Sequence, residues 1–97
     1  MKLNFDFPIL NLEGTEVANA GKILGQTISA ENKGNAIKLW DWALKCYRGE
    51  DLEVDQTDGD VLEAMVSNLE TLTVLSKAQI LGYIKKQKPV EKPLKKA

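Results

Sequence analysis

Asn35-Ala36-Ile37-Lys38-Leu39-Trp40-Asp41-Trp42-Ala43-Leu44-Lys45-Cys46-Tyr47-Arg48-Gly49 is the stretch that decides the fold. Asparagine is a favoured helix N-cap and glycine a favoured C-terminal stop, so the pair predicts one helix running to Arg48. Ala36, Leu39, Trp40, Ala43, Cys46 and Tyr47 share one broad face at helical spacing. Ile37 and Leu44 widen it, which leaves little more than Lys38, Asp41, Lys45 and Arg48 for water. A helix that apolar belongs in the middle of a core or at a subunit interface.

Downstream, an acidic link leads to Thr57-Asp58-Gly59-Asp60, which predicts a helix start capped by Thr57, with acids at the positive end of the helix dipole. Val61, Leu62, Met65, Val66 and Leu69 continue it at helical spacing. After a break around Asn68 to Thr71, Thr71 or Thr73 opens a last helix through Val74, Leu75, Ala78, Leu81 and Ile84. Beyond Gln87, prolines alternate with lysines, and residues 88–97 read as a disordered basic tail with a solubilising role.

Upstream, Leu3, Phe5 and Phe7 alternate with Lys2, Asn4 and Asp6 as in a half-buried strand. Ile9 to Leu12 meets the turn signal Glu13-Gly14, and Thr15 to Val17 can pair back as a hairpin. The first helix spans roughly Ala18 to Ser29. Its Gly21 and Gly25, each costing up to about 1 kcal/mol relative to alanine, leave two readings open. One is a smooth groove where another backbone or a ligand approaches closely, and the other is a frayed, poorly packed helix. The fold expected is therefore mainly α: a short N-terminal strand or hairpin, then a bundle of about four helices, all in one domain over residues 1–87.

A chain of 97 residues supports a single core and leaves much of its surface exposed. An extended strand, a glycine-notched helix and a two-faced tryptophan helix are more apolar surface than a monomer of this size hides easily. A homodimer or higher homo-oligomer follows, with Phe5, Phe7, Gly21, Gly25, Trp40, Trp42 and Tyr47 as interface or core anchors. The formal charge of −1 conceals a segregation of −6 over residues 1–84 and +5 over residues 85–97. One cysteine, no leader-like stretch and no long apolar run predict a reducing cytoplasm and no membrane.

The chain contains no histidine, which removes the commonest general base and metal ligand. No phosphate loop is present, because Gly21 and Gly25 lack the Lys-Ser/Thr pair that grips phosphate and magnesium. A calcium-loop register over Asp55 to Asp60 fails, since it places Val54 first and Met65 last where acids are required. Cys46 reads as a buried structural thiol. Neither a catalytic site, a metal nor a cofactor is expected. One constellation is suited to a ligand: Trp40, Trp42 and Tyr47 interleaved with Lys38, Lys45 and Arg48, because aromatics stack on bases and cations hold phosphates. Lys38, Trp42, Lys45 and Arg48 are its candidate contacts, with burial in a core or interface as the competing reading. The acidic body and the lack of a basic helix face argue against sequence-specific nucleic-acid binding.

The Leu12-Glu13-Gly14 turn, the run Lys38 to Lys45, the link Gly49-Glu50-Asp51-Leu52 and the segment Leu72 to Leu81 together resemble small uncharacterised helical proteins of bacteriophages and prophages. That resemblance implies a phage accessory or assembly product expressed inside a bacterium. The function expected is non-enzymatic: binding that sequesters a host protein, or a defence-signalling nucleotide as an oligomeric sponge. The alternatives are a virion or tail-assembly adaptor and, more remotely, a small enzyme using carboxylate or lysine chemistry.

Overall fold

Residues 1–31 and 34–87 are described by the computed structural model; the expected tail at 88–97 lies outside them. The elements run β1 (Lys2–Leu3), β2 (Pro8–Leu10), β3 (Glu16–Asn19), α1 (Ala20–Ser29), α2 (Ala36–Arg48), β4 (Leu52–Glu53), α3 (Gln56–Asn68) and α4 (Val74–Gln87). The described residues are mainly helical, with four helices and a short N-terminal hairpin, as the apolar periodicity predicts.

Leu3 and Phe5 are buried and Phe7 is half-buried, but their alternation does not make one continuous strand. The chain kinks after β1, where Asn4 Oδ1 accepts from the Asp6 N–H and the Phe5 carbonyl accepts from the Phe7 N–H, both at 2.8 Å. Pro8 then opens β2, a position where its missing N–H costs no ladder bond. β2 and β3 pair antiparallel through Ile9 and Ala18, with an irregularity between Ile9 and Leu10. Asn11 holds the intervening turn by accepting from the Glu13 and Thr15 N–H groups, and Gly14 there adopts φ +84.

A second two-stranded ribbon joins β1 to β4, pairing Lys2 with Glu53 and Leu3 with Leu52. The sequence predicts no strand over that acidic link. Buried Leu52 and Val54 flanking exposed Glu53 give it a short period-2 pattern that the surrounding carboxylates mask.

Two helix starts differ from expectation. α1 begins at Ala20, because Ala18 is committed to β3 and Asn19 accepts from the Lys22 N–H at 3.1 Å. α3 is capped by Asp55 rather than Thr57: the Asp55 carboxylate accepts from the Asp58 N–H at 2.7 Å, which moves Thr57 into the first turn. α2 runs between Asn35, which accepts from the Lys38 N–H, and Gly49 at φ +74, a left-handed cap that suits glycine. At α4, Thr73 Oγ1 accepts from the Ser76 N–H at 3.1 Å.

The core unites Leu3, Phe5 and Ile9 from the N-terminal segment with Leu24 and Ile28 of α1, Trp42 of α2, Leu62 and Val66 of α3, and Ile80 and Ile84 of α4. Tyr83 closes one end, with its ring 5.3 Å from Phe5 and 5.0 Å from Phe7. Its hydroxyl accepts from the Asn4 backbone N–H at 2.8 Å. Gln79 seals the outer edge of β2 as a peptide would, accepting from the Leu10 N–H at 2.9 Å and donating to the Leu10 carbonyl at 2.7 Å.

Candidate functional site

α2 is the element on which the candidate residues sit, and its position is set by the two glycines of α1. A Cβ placed on Gly25 would lie 2.7 Å from the Ala43 carbonyl oxygen and 2.9 Å from Tyr47 Cβ; one placed on Gly21 would collide with the Cys46 carbonyl oxygen. The backbone that comes close to this glycine-notched face is that of α2. The helix pair is locked at a distance that no other residue permits.

Around α2 the side chains divide into sectors. Trp42, Ala43 and Cys46 point into the core, and Trp42 is only 4% exposed. Trp40 lies about 200° away around the helix. It is 58% exposed, Tyr47 is 47% exposed and Ile37 is 85% exposed. Leu44 is half-buried beside them. The face that sequence reasoning drew as one broad apolar surface is thus two: an inner face on the protein's own core, and an outer stripe formed by Ile37, Trp40, Leu44 and Tyr47. Ala36, placed by spacing on the single broad face, is exposed. Of the other expected anchors, Phe5, Gly21 and Gly25 are buried and Phe7 is half-buried.

Next to the stripe, an apolar groove of about 220 Å³ runs between α1 and α2, lined by Gly25, Gln26, Ser29, Trp40, Ala43, Leu44 and Tyr47. The glycine at position 25 makes room for it. A second depression, of about 330 Å³, lies on the other side of α2 toward α3, where Lys38, Trp42, Asp58, Val61 and Met65 contribute to its walls.

The four ligand contacts expected from the sequence do not converge on one cradle. Lys38 donates to the Asp58 carboxylate at 2.9 Å, with its ammonium 5.8 Å from the centre of the Trp42 ring. Lys45 pairs with Asp41 one turn earlier at 3.2 Å. Arg48 is exposed in the last turn. A base stacking on Trp42 would first have to displace Lys38, and a phosphate would have to compete with Asp58 and Asp41 for the two lysines.

The acidic segment is built into the fold. Asp51 accepts from the Asn4 amide at 2.8 Å, Asp55 caps α3, and Asp58 pairs with Lys38. No group of three or more carboxylate or thiol side chains is placed to hold a metal ion among the described residues. Cys46 is buried against α1, and burial pushes its thiol up from 9.0 to about 12, so it stays protonated at neutral pH. No helix among the described residues is long and apolar enough to cross a membrane. No family model, curated protein or solved structure matches the chain.

Proposed function

We propose that this chain is a non-enzymatic accessory protein, encoded by a phage or prophage, that acts in the bacterial host by binding proteins. Its working surface is the outer stripe of α2. The observation that carries this reading is the exposure of Trp40, Tyr47 and Ile37 on the same helix whose opposite face is anchored in the core. Tryptophan and tyrosine are the residues that most often dominate protein interfaces, because they bury a large apolar area while losing little side-chain freedom. The geometry favours a protein over a nucleotide as the bound species, since the lysines nearest Trp42 already face carboxylates.

The test is photo-crosslinking in the bacterial host, comparing the wild-type chain with Trp40→Glu and Ile37→Glu, each checked for folding by circular dichroism. Loss of defined protein crosslinks in both folded variants supports the reading. Crosslinks that persist unchanged would refute it, as would a signalling nucleotide that raises the melting temperature of the wild type and of Trp40→Glu alike. Products containing a phage structural protein would turn the reading toward an assembly adaptor.

A further inference from the structure

We propose that the stripe of Ile37, Trp40, Leu44 and Tyr47 is the interface of a symmetric homodimer, in which α2 packs antiparallel against α2 of a second copy. This rests on the reading of the stripe as a protein-docking surface and names what docks there.

Spacing is the first argument. Positions 37, 40, 44 and 47 follow the three-four-three interval of a coiled-coil seam, the pattern with which one helix covers another. It is not the spacing that buries α2 in its own core, which uses Trp42, Ala43 and Cys46. The helix carries two seams, and among the described residues only the inner one is buried in the core.

Shape is the second. In an antiparallel pair centred on the middle of α2, Trp40 falls opposite Leu44 of the second copy and Ile37 opposite its Tyr47. Each layer matches an aromatic ring with an aliphatic chain. The 220 Å³ groove beside Leu44 and Tyr47 then lies where the protruding Ile37 of the second copy arrives. A surface that presents both a protrusion and a matching recess is what a two-fold interface requires.

Charge is the third. The stripe is flanked on one side by Asp41, Lys45 and Arg48. Antiparallel packing sets this flank against the same flank of the second copy, so that Asp41 of one, already paired with its own Lys45 at 3.2 Å, comes alongside Lys45 of the other, whereas parallel packing would set it against the uncharged flank of Ala36 and Ala43. Dimers built through the acid-rich segment from Glu50 to Glu63 would instead bring like charges together.

Area sets the strength. At the exposures of Ile37, Trp40 and Tyr47, those three side chains offer on the order of 300 Å² per copy. A standard interface uses roughly 800 Å² per partner. Three side chains provide more than a third of that, and Leu44, Ala36 and the α1 rim add to it, which makes the interface a small one and the dimer reversible.

Sedimentation equilibrium of the full chain, from about 1 to about 500 µM, tests this. The expected result is a concentration-dependent dimer, weakened at least about thirtyfold by Trp40→Glu and by Ile37→Glu. Ile37 is almost fully exposed, so its substitution spares the fold even if Trp40→Glu does not. Asp41→Lys is expected to weaken the dimer, and Asp41→Lys with Lys45→Asp to restore it. A monomer at every concentration would overturn the dimer while leaving the docking reading to its own crosslinking test. A dimer untouched by both stripe variants would overturn the assignment of this surface, and failure of the charge exchange to restore association would overturn the antiparallel arrangement.

Discussion

Replacing a glycine by alanine inside a helix ordinarily stabilises it by about 0.8–1 kcal/mol. Three glycines here separate that intrinsic gain from the cost of contact. Gly82, in α4, has nothing within 4 Å of where a Cβ would stand, so Gly82→Ala should realise the gain nearly in full. For a domain of this size that raises the melting temperature by about 4–8 °C. At Gly25 the added methyl would sit 2.7 Å from the Ala43 carbonyl oxygen, 2.9 Å from Tyr47 Cβ and 3.1 Å from the Tyr47 nitrogen. At Gly21 it would meet the Cys46 carbonyl oxygen and come within 3.2 Å of the Phe5 carbonyl oxygen. These are mostly backbone atoms, which cannot rotate aside, so α1 and α2 must separate. Overpacking of this kind costs about 1–3 kcal/mol, and somewhat more when the helix axes themselves must move. Set against the propensity gain, Gly21→Ala and Gly25→Ala should each lose about 1–2 kcal/mol. Each should therefore fall about 2–3 kcal/mol below Gly82→Ala. Urea titrations followed by circular dichroism give these differences directly. If Gly21→Ala and Gly25→Ala unfold at or above the wild-type midpoint, the close approach of α1 and α2 is wrong.

Cys46 provides a pH test. Burial raises the folded thiol from 9.0 to about 12, so below pH 9 both folded and unfolded thiols are protonated and stability is indifferent to this group. Above pH 9 the unfolded chain holds fewer protons, and stability falls as pH rises, by about 1.4 kcal/mol between pH 8 and pH 10 relative to a Cys46→Ala chain; equal pH slopes for the two chains would contradict the burial. Tyr83→Phe should cost about 1–1.5 kcal/mol in urea denaturation, because the part-buried Asn4 N–H loses its acceptor; an unchanged midpoint would show that water replaces the hydroxyl. The two tryptophans should separate in acrylamide quenching: Trp40→Phe leaves a blue-shifted, protected emission from Trp42, and Trp42→Phe leaves the exposed one. The reverse order would place the outer stripe inside.

Much of the fold was legible because its boundaries are chemical. Asn35 and Gly49 mark the ends of α2 by side-chain capping and by a left-handed φ, and both signals act within a few residues. Asp55 displaced Thr57 as the cap of α3 because both residues present an oxygen near the same turn, and only the backbone conformation selects between them. β4 escaped notice because two residues make too short a pattern to stand out among carboxylates. Its pairing with β1 joins residues some fifty positions apart. The glycines of α1 signalled a close approach, but not which backbone made it. That depended on α2 lying back along α1, with Cys46 at Gly21 and Ala43 at Gly25.

The two tryptophans show why the candidate site could not be read from periodicity alone. Hydrophobic spacing reports how apolar a helix is around its circumference, not which arcs its own chain covers. On α2, α1 occupies the arc near Ala43 and Cys46, fixed by glycine contacts that leave no freedom of approach. Trp42 reaches inward next to that arc, and Lys38 closes over its ring while paired to Asp58 of α3. Two of the three cations that the sequence offers as ligand contacts, Lys38 and Lys45, therefore take part in folded-state pairs, and the aromatic best suited to stacking lies under Lys38. Among the described residues Trp40 is the tryptophan left more than half exposed, on a helix held firmly from behind. A rigid scaffold that presents an exposed aromatic seam loses little further conformational entropy when that seam is buried. If the proposed dimer forms, the exposed apolar side chains at its centre carry the association, so substitutions at Ile37 and Trp40 should weigh on it far more than those at Lys38 or Lys45.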